Sequence, residues 1–267
     1  MRDGGRKREP DPALYGEEYY FSEDIEGYEL FRAGELSALR RKHLEMLAPL
    51  QGARLLEIGF ARGELLRACA GDGAEAVGVD FSPHACRIAR DTLGANTHAR
   101  LVRGDARALP FADAAFDRVF AGDIIEHLDH ADGPPLLREM WRVLRPGGFL
   151  LVHTTPNTVF RNWTWPVLRP LVRRIQPEAA AQADAQFAVM DRVHLGEYNP
   201  VTLRACARRA GLPAPGVWVD RDLTRGAEHR ITRALFRNRW VRLAARIGRL
   251  APFRFFLGND LYLRCGK

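Results

Sequence analysis

The stretch Asp123-Ile-Ile-Glu-His-Leu128 places two carboxylates beside an imidazole. Imidazole titrates near neutrality, so His127 can take a proton from a nucleophile at ordinary pH. A second concentration of such residues is Leu55-Leu-Glu-Ile-Gly-Phe-Ala-Arg-Gly63. Gly59 and Gly63 permit a tight turn and close backbone approach to a ligand, and a helix beginning after them offers unpaired N–H groups. Asp80 closes an apolar run roughly 20 residues after Gly59, where a carboxylate can accept both hydroxyls of a ribose. A dinucleotide fold would want glycine at position 64, which is Glu64, so the nicotinamide fingerprint fails.

Elements must hold these residues in place. From Arg54 onward short apolar runs alternate with helical ones, the pattern of an α/β fold with a largely parallel sheet. Strands are predicted over 54–58, 76–80, 100–103, 116–121, 149–153, 216–220 and 260–265, and helices over 64–70, 83–93, 134–144 and 202–210. Arg145-Pro-Gly-Gly148 is predicted to stop a helix and turn into the next strand. An amphipathic helix is predicted over 33–47, preceded by Tyr15, Tyr19, Tyr20, Phe21, Tyr28 and Phe31 among acidic residues. Those aromatics either pack on the sheet edge or lie over a bound ligand. Thr155 to Pro200 is a long excursion of the kind that usually carries function.

The ordered set Glu57-x-Gly59-x-Ala61-x-Gly63, Asp80, Gly104-Asp105-Ala106 and Leu144-Arg-Pro-Gly-Gly148 resembles the class I S-adenosylmethionine-dependent methyltransferases, of type 11/12/23, across roughly residues 45 to 265. The resemblance implies a Rossmann-like seven-stranded sheet with helices on both faces. It also implies an N-terminal lid over 1–48, a methyltransferase domain over 49–267, an acceptor-side excursion at 155–200 and a basic helical insertion at 221–257. S-adenosylmethionine would then meet Gly59, Ala61 and Gly63 at its methionine part, Asp80 at its ribose, and Asp105 with the Ala106 N–H at its adenine. Glu57, Phe81 and Asp123 are expected among the cofactor-binding residues as well. Ala61 departs from the usual middle glycine.

For catalysis the resemblance points to His127, with His194 as a second base or an acceptor contact. The spacing Asp123-x-x-Glu126-His127, with Pro156-Asn157 and His194, is also similar to that of ubiquinone-pathway O-methyltransferases and small-RNA 2'-O-methyltransferases, which hold a divalent cation. Asp123 stands where those families have Glu. The set that grips an exocyclic amine is missing after the fourth strand, which favours an oxygen acceptor.

Lys and Arg number 40 against 33 Asp and Glu, a net charge of +7. The segment from Arg221 to Arg249 is rich in Arg and holds only Asp222 and Glu228 as acids, so it carries that excess. On a helix Arg239, Arg242, Arg246 and Arg249 share one face and Trp240, Leu243, Ile247 and Leu250 the other. Arg230, Arg233 and Arg237 fall in another register, implying two helices with a break near Asn238. Such helices either lie on an anionic membrane or cap the acceptor pocket. Nucleic-acid binding is less favoured, because few aromatics interleave with the arginines. No run approaches a membrane span, Met1 to Pro12 lacks the apolar core of a signal peptide, and the four scattered cysteines suggest neither zinc nor disulfides.

The expectation is a cytoplasmic S-adenosylmethionine-dependent O-methyltransferase of a small molecule, glycan or lipid-linked intermediate, either free in the cytoplasm or peripheral to the inner membrane face. The alternatives are a metal-assisted RNA 2'-O-methyltransferase and a cofactor-binding, partner- or membrane-binding protein without transfer activity.

Overall fold

The computed structural model describes residues 12–21, 27–94, 98–220, 239, 243, 246, 250 and 253–267. Two short helices, α1 (Glu17–Tyr20) and α2 (Tyr28–Arg32), precede α3 (Ala38–Leu47). The helix predicted over 33–47 begins only at Ala38. Gly34 takes a left-handed φ of +77°, and extended Ser37 caps α3 by accepting the Arg40 N–H at 3.2 Å.

The core then runs β1 (Arg54–Ile58), α4 (Glu64–Gly71), β2 (Glu75–Asp80), α5 (Pro83–Leu93), β3 (Ala99–Arg103), β4 (Phe116–Gly122), α6 (Gly133–Val143) and β5 (Leu144–Thr154). Ser82 caps α5 ahead of Pro83, whose missing N–H costs nothing in a first helical turn. Arg145-Pro-Gly-Gly148 belongs to β5 rather than to a turn before it. Leu144 already pairs with Phe116, and after an irregularity Phe149 pairs with Arg118.

The excursion is a helical hairpin. A π-helical turn (Phe160–Thr164) leads into α7 (Trp165–Ile175), and α8 (Pro177–Val193) returns antiparallel. The chain continues through α9 (Pro200–Arg209), β6 (Gly216–Val219), α10 (Phe253–Leu257) and β7 (Leu261–Gly266). The predicted pair of basic helices lies outside the described residues, apart from Arg239, Leu243, Arg246, Leu250 and α10.

The seven strands form one sheet in the order β3-β2-β1-β4-β5-β7-β6, parallel except for β7. One face packs Leu56, Ile58, Val119 and Leu150 with side chains of α6 and α9, and the other packs Leu55, Phe120 and Leu151 with α3 and α4. Burial on both faces explains the near-continuous apolar runs of β1 and β4. Strand order reverses between β1 and β4, so a crevice opens at their carboxyl ends, where open α/β sheets bind ligands.

Candidate active site

A cavity of about 960 Å³ occupies that crevice. One wall is the glycine turn after β1. Gly59, Ala61 and Gly63 all have left-handed backbone, with φ of +73°, +48° and +78°. A Cβ on Gly59 would fall 1.9 Å from Ile124 Cδ1, and one on Gly63 would fall 2.9 Å from Ala89 Cβ in α5. Gly59 and Ala61 line the cavity, whereas Gly63 serves the close packing of α4 on α5. Glu57, expected beside the cofactor, lies one layer beneath the turn and does not line the cavity. Burial pushes its carboxyl up to about 8, opposed by the Arg40 charge and, to a lesser degree, by the Leu66 backbone N–H.

Asp80, 7% exposed, joins this turn to the next. Its Oδ2 accepts the Ala61 N–H at 3.1 Å and its Oδ1 the Ser82 N–H at 2.9 Å. Burial raises its pKa above the usual carboxylate value. Phe81 is 40% exposed and meets the Tyr15 ring edge-on at 5.1 Å. Asp105 and Ala106 line the same wall, and the Asp105 carboxylate is forked by the Arg107 guanidinium at 2.7–3.0 Å.

Across the cavity, Ile125–His127 form a single 3-10 turn after β4, held where Leu195 and Gly196 donate to the Glu126 carbonyl. That pairing brings the end of α8 against the turn, so Glu126, His127 and His194 present ligand atoms within 4.8 Å of one another. The Glu126 side chain is buried. Its Oε2 accepts the Thr154 hydroxyl at 2.7 Å, while Oε1 has no partner. Burial and then the Asp123 carboxylate push it up to about 7. His127 is pushed down to about 3 by burial and by His194, so its ring is neutral at physiological pH. Its Nδ1 lies 2.8 Å from the Tyr15 hydroxyl and 3.2 Å from the Val193 carbonyl. His194 Nδ1 faces Glu197 Oε1 at 3.1 Å.

Asp123 does not join that trio as its spacing suggested. At a left-handed φ of +57° it faces the fully buried His153, 2.9 Å from Nδ1, and Asp260 takes the opposite ring nitrogen at 3.0 Å. Burial disfavours a charged His153, but the two carboxylates outweigh it and push the ring up to about 10. Asp123 is held well below the usual carboxylate range, because His153 outweighs its desolvation. His43 and Tyr262 pack against the same imidazole at 4.9 Å. The sequence reading missed this clamp, although a lone His inside the apolar run of β5 was a signal.

It also left open the role of the early tyrosines. Tyr15, Tyr19 and Tyr20 all line the cavity, and the Tyr15 carbonyl accepts the Ser82 hydroxyl at 3.3 Å. The rest of the rim comes from α8 through Gln182, Gln186, Val189 and Met190.

Residues 56–152 match a family described as a methyltransferase domain. Among curated proteins the chain is 37% identical over 121 residues to a demethylmenaquinone methyltransferase of Thermus thermophilus, covering 44% of this chain and 54% of that one. It is 30% identical over 119 residues to the Staphylococcus aureus demethylmenaquinone methyltransferase, covering 43% and 48%. The chain thus spans about half the length of the curated relatives it matches. Among solved structures it is similar to Haemonchus contortus phosphoethanolamine N-methyltransferase 2 bound to S-adenosyl-L-methionine, with a TM-score of 0.58 at 19% identity over 96% of this chain and 57% of that one. It is equally similar to a geranyl diphosphate methyltransferase bound to geranyl diphosphate and sinefungin, with a TM-score of 0.58 at 18% identity over 97% and 87%. Sheet order, glycine turn and sequence match agree: residues 56–152 match a methyltransferase domain, and the chain has the fold shared by class I S-adenosylmethionine-dependent methyltransferases.

Proposed function

We propose that the protein moves the sulfonium methyl of S-adenosylmethionine onto a hydroxyl of a small, partly apolar acceptor, in the class of free small molecules, glycans and lipid-linked intermediates. One observation carries this reading: a single cavity joins the glycine turn and Asp80 to the buried Glu126, His127 and His194 cluster. Its volume lies at the upper end of the ~300–1,000 Å³ typical of ligand pockets, enough for a cofactor and a small acceptor together. The compounds named for relatives, demethylmenaquinone and geranyl diphosphate, carry long apolar parts, which supports a partly apolar acceptor in a cavity whose rim mixes tyrosines and aliphatic side chains with Gln182 and Gln186.

In this reading Gly59 and Ala61 receive the methionine part, with Gly63 and the underlying Glu57 shaping the turn. Asp80 binds the ribose hydroxyls while keeping its backbone bonds, and Phe81, Asp105 and the Ala106 N–H receive the adenine. Asp123 is the ionised wall beneath the sulfonium end, held in place by His153. The tyrosines close over the cofactor as a lid.

The chemistry is a displacement. The acceptor oxygen forms its bond to the methyl carbon, the carbon–sulfur bond breaks, and the electron pair stays on sulfur as a thioether. The cofactor supplies the electrophile, so the protein aligns the oxygen and accepts its proton. His127 is neutral and fixed by Tyr15. Glu126 has the proton affinity best matched to neutral pH, and His194 completes the proton-accepting side.

The test is transfer of labelled methyl from the cofactor into a host extract, partitioned into organic, small aqueous and nucleic-acid fractions. Label in either of the first two supports the reading. Label confined to RNA sinks it in favour of a 2'-O-methyltransferase, and cofactor binding with no labelled product favours a protein without transfer.

The same trio favours a second reading. The donor atoms of Glu126, His127 and His194, with Oε1 of Glu126 unpartnered, suit a divalent cation, which when bound would acidify an acceptor hydroxyl. Full activity in EDTA eliminates it.

A further inference from the structure

We infer that the outer face of α7 docks this protein on an anionic lipid bilayer. This does not rest on the methyl-transfer reading. Trp165, Leu168 and Val172 turn partly inward, and Asp184 of α8 ties the two helices by accepting the Trp165 indole N–H at 3.2 Å and pairing with Arg169 at 2.7 Å. The opposite face is left to solvent. Trp163, Val167, Leu171 and Ile175 recur every fourth residue and are 74%, 77%, 56% and 50% exposed. Residues four apart stand above one another on a helix, so these side chains form one continuous ridge. The ridge extends onto α10, where Phe253 and Phe256 are about half exposed and the Phe256 carbonyl accepts the Thr164 hydroxyl at 2.7 Å.

Charge selects the occupant. Phe160 to Ile175 contains Arg161, Arg169, Arg173 and Arg174 and no acid. Arg161 and Arg169 are paired with acids of the hairpin and its flank, whereas Arg173 and Arg174 stand exposed at the end of the ridge. Tryptophan at one end of an apolar ridge and arginines at the other suit the boundary between acyl chains and anionic headgroups. The Arg-rich segment from Arg221 to Arg249 adds charge of the same sign. A second copy docked through the same ridge would offer these arginines no acid, because Phe160 to Ile175 contains none, whereas an anionic headgroup pairs with them directly. Because α8 is a wall of the cavity, docking through α7 sets that cavity one helix away from the lipid.

The experiment is co-sedimentation of the full chain with phosphatidylcholine vesicles, either plain or containing roughly one-third phosphatidylglycerol. Binding is expected on the anionic vesicles and to be much weaker on the plain ones. Val167→Asp with Leu171→Asp should lower the partition coefficient about tenfold or more. Trp163→Phe, which leaves the ridge apolar, should diminish a vesicle-induced blue shift of tryptophan emission, of which Trp163 is the most exposed source on the ridge. Wild-type protein remaining in the supernatant overturns the proposal. So does equal binding by the double variant, which would place docking in the basic segment alone, or light scattering that finds a dimer split by the same substitutions.

Discussion

At Ala61 the backbone sits at φ +48°, a conformation that costs a non-glycine residue on the order of 1 kcal/mol and survives only where its surroundings enforce it. The enforcing partner is Asp80, whose carboxylate receives the Ala61 N–H. We therefore expect Asp80→Ala to weaken cofactor binding by about 1.5–3 kcal/mol, the worth of hydrogen bonds to a charged group. Unchanged calorimetric affinity would remove Asp80 from the ribose. Gly59→Ala should be at least as harmful, since its Cβ must displace Ile124 while the backbone remains left-handed. The readout is calorimetric cofactor affinity of the folded protein, accompanied by a lowered thermal midpoint from the strained backbone and displaced Ile124. His127→Ala should slow turnover far more than it weakens the cofactor, and a wild-type rate would exclude it from the chemistry. Gly59, Asp80 and His127 were legible because local patterns betray them: a turn, a strand end, a histidine beside an acid. Glu126 was read only as part of a spacing. Its burial and its unpartnered oxygen depend on Thr154 and on the end of α8, which no local pattern announces.

Among elements, the strands were the most readable, because alternation between short apolar runs and helices dictates a parallel sheet. Helix limits were less so. The break before α3 turns on Gly34 and Ser37, and the hairpin of the excursion is held by the pairing of Asp184 with Trp165 and Arg169, a contact between helices. The His153 clamp was hidden for the same reason, since it joins the end of β5 to the loops before α6 and β7. It has a pH signature. His153 holds a proton up to about pH 10 in the folded chain but only to its ordinary value near 6.5 when unfolded. Its contribution to stability is therefore complete below about pH 6.5 and is lost as pH rises toward 10, by at most ~1.4 kcal/mol per unit. Glu57, raised to about 8, works in the same direction at lower pH, so the readout is a difference. Urea unfolding of wild type and His153→Asn between pH 7 and 8.5 should give a shallower slope for the variant, and parallel slopes would show that the ring is not charged.

For the molecule as a whole, the positive balance came directly from composition and the largely parallel sheet from pattern, while the seven-stranded sheet followed from the family resemblance and its strand order only from the fold. The acceptor did not, because the cavity rim is assembled from the early tyrosines, the 3-10 turn and α8, whose side chains meet only after folding. Among the described residues no helix is long and apolar enough to cross a membrane. Tyr15 reaches both ends of the cavity: its carbonyl is tied to Ser82 beside Asp80, and its phenol is tied to His127. A residue that latches onto the nucleotide end and the reaction end at once cannot be in place while the first ligand enters. Steady-state kinetics should therefore follow a compulsory order, cofactor first and its thioether product last. S-adenosylhomocysteine should compete with the cofactor but inhibit noncompetitively against the acceptor. Tyr15→Phe, which cuts one of the two tethers, should shift that pattern toward random entry.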